Sequence, residues 1–103
     1  MRYNISQVVY GRNRSKGPVG ILLGAKYDDG VLVTGSKANI SHGDQFNKDD
    51  GLSIAWDRQN TVRNKNRRNR LARSMSHDLE RFANRCERYF RTENIHVPEI
   101  IAD

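Results

Sequence analysis

The chain has 103 residues, 36% of them hydrophobic and 29% charged, with a formal net charge of +6. This length suits one small domain over 1–103, and no stretch approaches the roughly 18 apolar residues that would predict a membrane span. The single cysteine, Cys86, excludes an internal disulfide, which fits a reducing cytoplasm. We therefore expect a cytoplasmic protein, and the missing apolar stretch predicts no membrane contact.

Residues 1–40 carry the patterns of β-strands. Tyr3 to Tyr10 is rich in aromatic and β-branched residues, and the run 19–27 alternates apolar side chains on one face. Asp28-Asp29-Gly30 is a hairpin signal, because Gly readily adopts the positive φ that such a turn needs. Residues 31–40 then form the returning strand. The pattern predicts a three-stranded antiparallel sheet with one face that must be covered.

Residues 41–93 are predicted to be helical and to provide that cover. Ser41, with Asp44 three residues later, fits a capping box that begins a first helix. Gly51 lies inside this helix, where Gly costs about 1 kcal/mol relative to Ala. We therefore expect Gly51 at a close contact between the helix and the sheet.

A second, long amphipathic helix is predicted over 66–91, followed by a tail at 94–103 that contains Pro98. At 1.5 Å per residue this helix would be about 39 Å long, more than a small sheet can cover. We therefore predict a homo-oligomer through the 66–91 helix, within an α+β fold of three antiparallel strands and two helices. The apolar stripe consists of Leu71, Met75, Leu79, Phe82, Cys86 and Tyr89.

No catalytic or metal-binding pattern is visible in the sequence. The three histidines, His42, His77 and His96, are far apart and match none of the spacings of metal sites. A Walker loop and a GxGxxG motif are also missing. We expect a protein that is not an enzyme and that uses no metal and no cofactor.

Cationic charge is concentrated in residues 58–73, which contain seven Lys or Arg and no acidic residue. The rest of the chain has 11 Lys and Arg against 12 Asp and Glu, so the basicity is local. Arginine suits bidentate contacts to phosphate. Arg63, Arg67 and Arg70 follow spacings of four and three, so they form a ridge if the helix begins early enough. We predict an anion-binding site that is formed by Arg58, Arg63, Lys65, Arg67, Arg68, Arg70 and Arg73.

Two further features could complete that site. The loop at 11–17 combines two glycines with Arg12, Arg14 and Lys16, so both backbone N–H groups and side chains could bind phosphate. Trp56 could offer a stacking face, although a lone Trp on a helix is about as often part of a core. A solvated surface is the alternative for both basic segments.

Residues 44–58 read D-x-F-x-K-x-x-G-x-x-I-A-x-x-R. This pattern resembles a segment of many small phage-encoded proteins, although Leu52 and Asp57 stand where that segment often has Arg and Gly. The layout of a small sheet before two basic helices is also similar in outline to phage sponges that counter Thoeris defence. Those proteins oligomerise and sequester cyclic nucleotides. The resemblance implies a phage protein in the cytoplasm of an infected bacterial host.

The leading hypothesis is therefore a non-enzymatic, oligomeric counter-defence protein that sequesters a phosphate-bearing nucleotide signal. One alternative is a nucleic-acid-binding protein that lays an arginine-rich helix along RNA or DNA. Another is a protein inhibitor that docks on an acidic surface of a host or defence enzyme. All three use the same basic residues, so the identity of the bound ligand separates them.

Overall fold

A computed structural model describes residues 3–12, 18–37 and 47–101, with side chains from Gly20 onward except that of Lys48. The class is α+β, as predicted. Its elements in chain order are β1 (Tyr3–Arg12), β2 (Pro18–Tyr27), β3 (Gly30–Lys37), α1 (Lys48–Asn64), β4 (Arg70–Ala72), a 3-10 turn (Arg73–Met75), α2 (Ser76–Phe90), β5 (Ile95–His96) and β6 (Glu99–Ile101).

The main sheet has the strand order β1-β2-β3-β5. Strands β1, β2 and β3 form an antiparallel meander, which confirms that part of the prediction. The predicted turn is also confirmed, because Asp28 and Asp29 connect Tyr27 to Gly30, whose φ is +127°. The short β5 pairs in parallel with β3. The sheet is therefore mixed rather than purely antiparallel.

Helices cover both faces of this sheet, whereas the sequence pattern led us to expect one covered face. The run Ile21, Leu22 and Leu23 in β2 is fully buried, as in strands that are enclosed on both sides. Helix α1 covers one face and α2 covers the other. The α1 side contains Ala25, Tyr27, Leu32, Trp56 and Val62, and the α2 side contains Leu22, Val31, Val33, Leu71, Met75, Leu79, Phe82, Cys86 and Phe90.

Two glycines allow the helices to approach the strands closely. A Cβ atom built on Gly24 would lie 2.8 Å from Cys86 Sγ, under α2. A Cβ atom built on Gly51, within α1, would lie 2.8 Å from Ile21 Cδ1. The second contact confirms the predicted role of Gly51.

Helix α1 begins later than the capping box suggested. It starts at Lys48, and the side chain of Asn47 accepts a hydrogen bond of 3.1 Å from the backbone N–H of Asp50. Asn47 is therefore the N-cap of this helix. The predicted cap at Ser41 and Asp44 lies outside the described residues.

The prediction of one helix over 66–91 is wrong. Helix α2 has 15 residues, which corresponds to a length of about 22 Å. The 3-10 turn before it extends the helical segment to 18 residues. The chain before it forms β4, which pairs in parallel with β6 from the predicted tail. The apolar stripe ends differently too, because Tyr89 is 51% exposed and Phe90 is buried instead. The length argument for an oligomer through this helix is lost.

None of the helices in the described part of the chain is long and apolar enough to span a membrane.

Candidate anion-binding site

The arginine-rich stretch spans several elements instead of one helix. Helix α1 ends at Asn64, where the backbone N–H groups of Lys65 and Arg67 both donate to the Thr61 oxygen, at 3.1 and 3.2 Å. Asn66 follows with a φ of 52°, a left-handed conformation that Asn tolerates and that terminates helices. The predicted ridge of Arg63, Arg67 and Arg70 along a helix is therefore wrong.

Three of the seven predicted cations are held by the protein itself. Arg58 donates through Nη1 to the backbone oxygen of Gly35. Arg63 forms an ion pair of 3.0 Å with Asp29. The remaining one, Arg68, pairs with Glu99 at 2.9 Å. These three side chains already have a partner.

The contact between Arg63 and Asp29 has an electrostatic consequence. The hydrogen bond from Arg63 holds the pKa of the Asp29 carboxyl below its ordinary value of 3.8, and the charges of Arg63 and His96 act in the same direction. His96 Nε2 also lies 3.2 Å from the backbone oxygen of Asp29. The β2–β3 turn is thus held by cationic and polar contacts from α1 and β5.

Lys65, Arg67, Arg70 and Arg73 differ from those three. All four are exposed. Within the described residues, none of their side chains forms an ion pair or a side-chain hydrogen bond. We call these four residues the basic edge. They lie on the loop after α1, on β4 and on the 3-10 turn.

Asn69 fixes the position of this loop on the sheet. Its Nδ2 donates a hydrogen bond of 2.8 Å to the Val33 oxygen. Its backbone oxygen accepts one of 2.8 Å from the N–H of Glu99. The loop is therefore tied to β3 on one side and to β6 on the other. The sequence gave no signal for this role, because the stretch 58–73 contains four Asn and nothing distinguishes Asn69 from the other three.

Of the other predicted site residues, Trp56 is the one whose side chain the structure describes. Trp56 is half-buried and packs against the cluster of Ala25, Tyr27 and Leu32, which is the core alternative given for it above. Arg12 lies in β1, but its side chain is outside the described part. Arg14 and Lys16 lie outside the described residues altogether.

A buried glutamine in the basic stretch holds α1 on the sheet. Gln59 is 1% exposed. Its Nε2 donates to the Leu32 oxygen at 2.7 Å and to Thr34 Oγ1 at 3.1 Å, and its Oε1 accepts from the Tyr27 hydroxyl at 3.0 Å. Sequence reasoning missed this residue. The sequence did contain a signal for it. Gln59 follows Ala55 and Gly51 at intervals of four residues, which places it on the same side of α1 as these small residues that face the sheet.

The thiol of Cys86 is buried in the core beneath α2. Burial raises the pKa of the Cys86 thiol to about 11, so little of it is thiolate at neutral pH. Among the described residues, no group of three or more His, Cys, Asp and Glu side chains could hold a metal ion. The arrangement of the basic edge is suited to binding an anion.

Comparison with protein-family models, with curated proteins and with solved structures gave no match.

Proposed function

We propose that the protein binds nucleic acid through the phosphate backbone, with the basic edge as the contact surface. One observation carries the proposal: four cations within nine consecutive residues are exposed and have no anionic partner among the described residues. Unpaired cations of this kind attract a polyanion and release its counterions on binding. The proposal includes no catalytic step.

The exposure of these side chains favours a long polyanion over a small nucleotide. Pockets for small ligands are concave and bury roughly 70–90% of the ligand surface. The four cations of the basic edge are instead solvent-exposed and lie on three successive elements. A phosphate backbone can contact such cations one after another without being enclosed.

Sequestration of a phosphate-bearing nucleotide by an oligomeric, phage-type counter-defence protein is the second candidate. It is supported by the basic segment 11–17, whose Arg12, Arg14 and Lys16 could contact a phosphate, and by the resemblance of residues 44–58 to phage proteins. The cytoplasm of an infected host would be the compartment for this activity. The inhibitor hypothesis uses the same basic residues and has no separate support.

Fluorescence anisotropy with labelled 20-nucleotide DNA and RNA, single-stranded and duplex, tests the proposal over a range of salt concentrations. Each phosphate contact adds about 0.9 to the slope of log K against log salt on duplex DNA. Replacing all four basic-edge residues with Gln should therefore lower that slope by about 3 to 4. Lys26→Gln, which removes a cation from β2, is the control and should lower it by less than about 1.

An unchanged slope in the four-residue variant would overturn the proposal. Calorimetric titration with cyclic nucleotides tests the second candidate in parallel. Saturable binding of a cyclic nucleotide at a defined stoichiometry, together with no binding of nucleic acid at 50 mM salt, would favour sequestration instead.

A further inference from the structure

Helix α2 presents a row of arginines on the side opposite its buried face. Arg81, Arg85 and Arg88 are spaced by four and three residues, which places them on one side of a helix. We call these three residues the α2 ridge. All three are exposed, whereas the opposite side of the helix is buried through Leu79, Phe82, Cys86 and Phe90.

The α2 ridge has no neutralising partner in the described structure. The carboxylates of α2, on Asp78, Glu80 and Glu87, form no ion pair with it. Arg81 and Arg85 are instead four residues apart, and like charges at this spacing destabilise a helix. Helix stability alone does not favour this arrangement, and a bound polyanion would relieve the repulsion.

The α2 ridge continues the charge of the basic edge along the chain. Arg73 lies in the 3-10 turn that leads directly into α2 at Ser76, and the exposed His77 is in the first turn of the helix. Steps of three or four residues therefore separate successive basic side chains over 19 residues. This series consists of Arg70, Arg73, His77, Arg81, Arg85 and Arg88.

The dimensions of α2 fit a nucleic-acid duplex. The α2 ridge is about 10 Å long at 1.5 Å per residue, and a DNA duplex carries one phosphate for about every 1.7 Å of its axis. The ridge therefore passes about six phosphates, enough for one contact from each arginine. B-form DNA also has a major groove about 12 Å wide that admits an α-helix, whereas the major groove of A-form RNA is too narrow to be read.

Aromatic exposure argues against a single strand. Proteins that bind single strands usually stack several bases on aromatic side chains. Among the described side chains, Tyr89 is the one aromatic ring that is largely exposed, while Phe82 and Phe90 are buried and Trp56 packs on the core. We infer that the α2 ridge is a second phosphate-contact surface, which together with the basic edge binds double-stranded DNA. This inference rests on the proposed function.

The test measures anisotropy with a 20-base-pair DNA duplex at increasing salt. Changing Arg81, Arg85 and Arg88 to Gln should lower the salt slope by about 2 to 3 and weaken binding about tenfold or more at low salt. The matched control is Glu80→Gln with Glu87→Gln, two exposed changes in the same helix that should not weaken binding. Circular dichroism and thermal melting establish that each variant is folded.

Single variants and a charge-preserving variant keep the test decisive if the triple variant is unfolded. Each of Arg81→Gln, Arg85→Gln and Arg88→Gln should lower the slope by about 1, and the three changes to Lys together should preserve it. If these variants match the wild type while the basic-edge variant loses slope, the inference is overturned and the proposed function stands. If the wild-type protein binds neither DNA nor RNA at 50 mM salt, both fail. Tighter binding of duplex RNA or of a single strand would overturn duplex DNA as the partner.

Discussion

The guanidinium carbon of Arg63 lies 3.8 Å from the centre of the Tyr27 ring. The same guanidinium forms an ion pair of 3.0 Å with Asp29, in the turn that follows Tyr27. Arg63 therefore joins the C-terminal end of α1 to the β2–β3 turn. This arginine has a structural role, which separates it from the cations of the basic edge.

Replacing Arg63 with Gln should lower the free energy of unfolding by about 1 kcal/mol through loss of the cation–π contact with Tyr27. Urea denaturation measures this change. Arg63→Lys is the control, because it keeps a cation near the ring and should lose less. The salt slope of nucleic-acid binding should change by less than about 1 in either variant. A stable Arg63→Gln protein with a strongly reduced slope would mean that Arg63 contacts the ligand.

The carboxyl of Asp29 should titrate below 3.8 in the folded protein, since Arg63 stabilises its charged form. A pKa that is lower in the folded than in the unfolded state contributes stability above the unfolded value, and this stability is lost as pH falls through the folded value. Carboxyl chemical shifts in NMR titrations measure the midpoint. Arg63→Gln should raise that midpoint toward 3.8. Identical midpoints in the two proteins would contradict the assigned cause.

Gln59→Ala should destabilise the protein by about 2 to 3 kcal/mol, because it removes the buried hydrogen bonds that Gln59 forms with the Leu32 oxygen and the Tyr27 hydroxyl. Urea denaturation is again the measurement. Ser53→Ala, an exposed change in the same helix, should alter stability by less than about 0.5 kcal/mol. Equal effects of the two changes would show that the Gln59 hydrogen bonds contribute little.

Gly24→Ala should cost about 1 to 3 kcal/mol, because the new methyl group would lie 2.8 Å from Cys86 Sγ. Removing that sulfur by Cys86→Ala should leave room for the methyl group. The double variant should therefore be more stable than the sum of the two single losses predicts. Strictly additive losses, measured by thermal melting or urea, would show that Cys86 is not the obstacle.

Glu99→Gln should strengthen nucleic-acid binding, because it removes the carboxylate that pairs with Arg68 at 2.9 Å. The freed guanidinium adds one cation beside the basic edge, so the salt slope should rise by up to about 1. Glu93→Gln, another exposed change near the end of the chain, is the control. Weaker binding by Glu99→Gln would indicate that the ion pair positions the loop.

Local patterns predicted the parts of the fold that depend on neighbours in sequence. The alternation in β2 and the Asp-Asp-Gly turn gave the meander, and the stripe Leu79, Phe82 and Cys86 gave the core of α2. The start of α2 was misplaced because Leu71 and Met75 continue the helical spacing, although Leu71 lies in β4. The pairing of β4 with β6 joins Leu71 to Ile100, and spacing within one segment cannot reveal such a distant partner.

Charge patterning predicted which segment carries the candidate site, but it did not predict which of its arginines form ion pairs within the protein. In the sequence, Arg63, Arg68 and Arg70 are equally good candidates for contacting an anion. The structure pairs the first two with Asp29 and Glu99, which are 34 and 31 residues away in sequence. Only the fold brings those carboxylates near the arginines. The sequence therefore could not show which arginines form ion pairs and which do not.

The polar contact between α1 and the sheet sets an angle as well as a distance. Hydrogen bonds are directional, unlike contacts between apolar side chains. A turn of α1 about its own axis by one residue, roughly 100°, would withdraw Gln59 from Leu32 and Thr34 together. The hydrogen bonds of Gln59 therefore fix the rotation of α1 about its own axis. The buried amide of Gln59, together with the contacts of Arg58 and Arg63, therefore sets the direction in which the chain leaves α1 at Lys65.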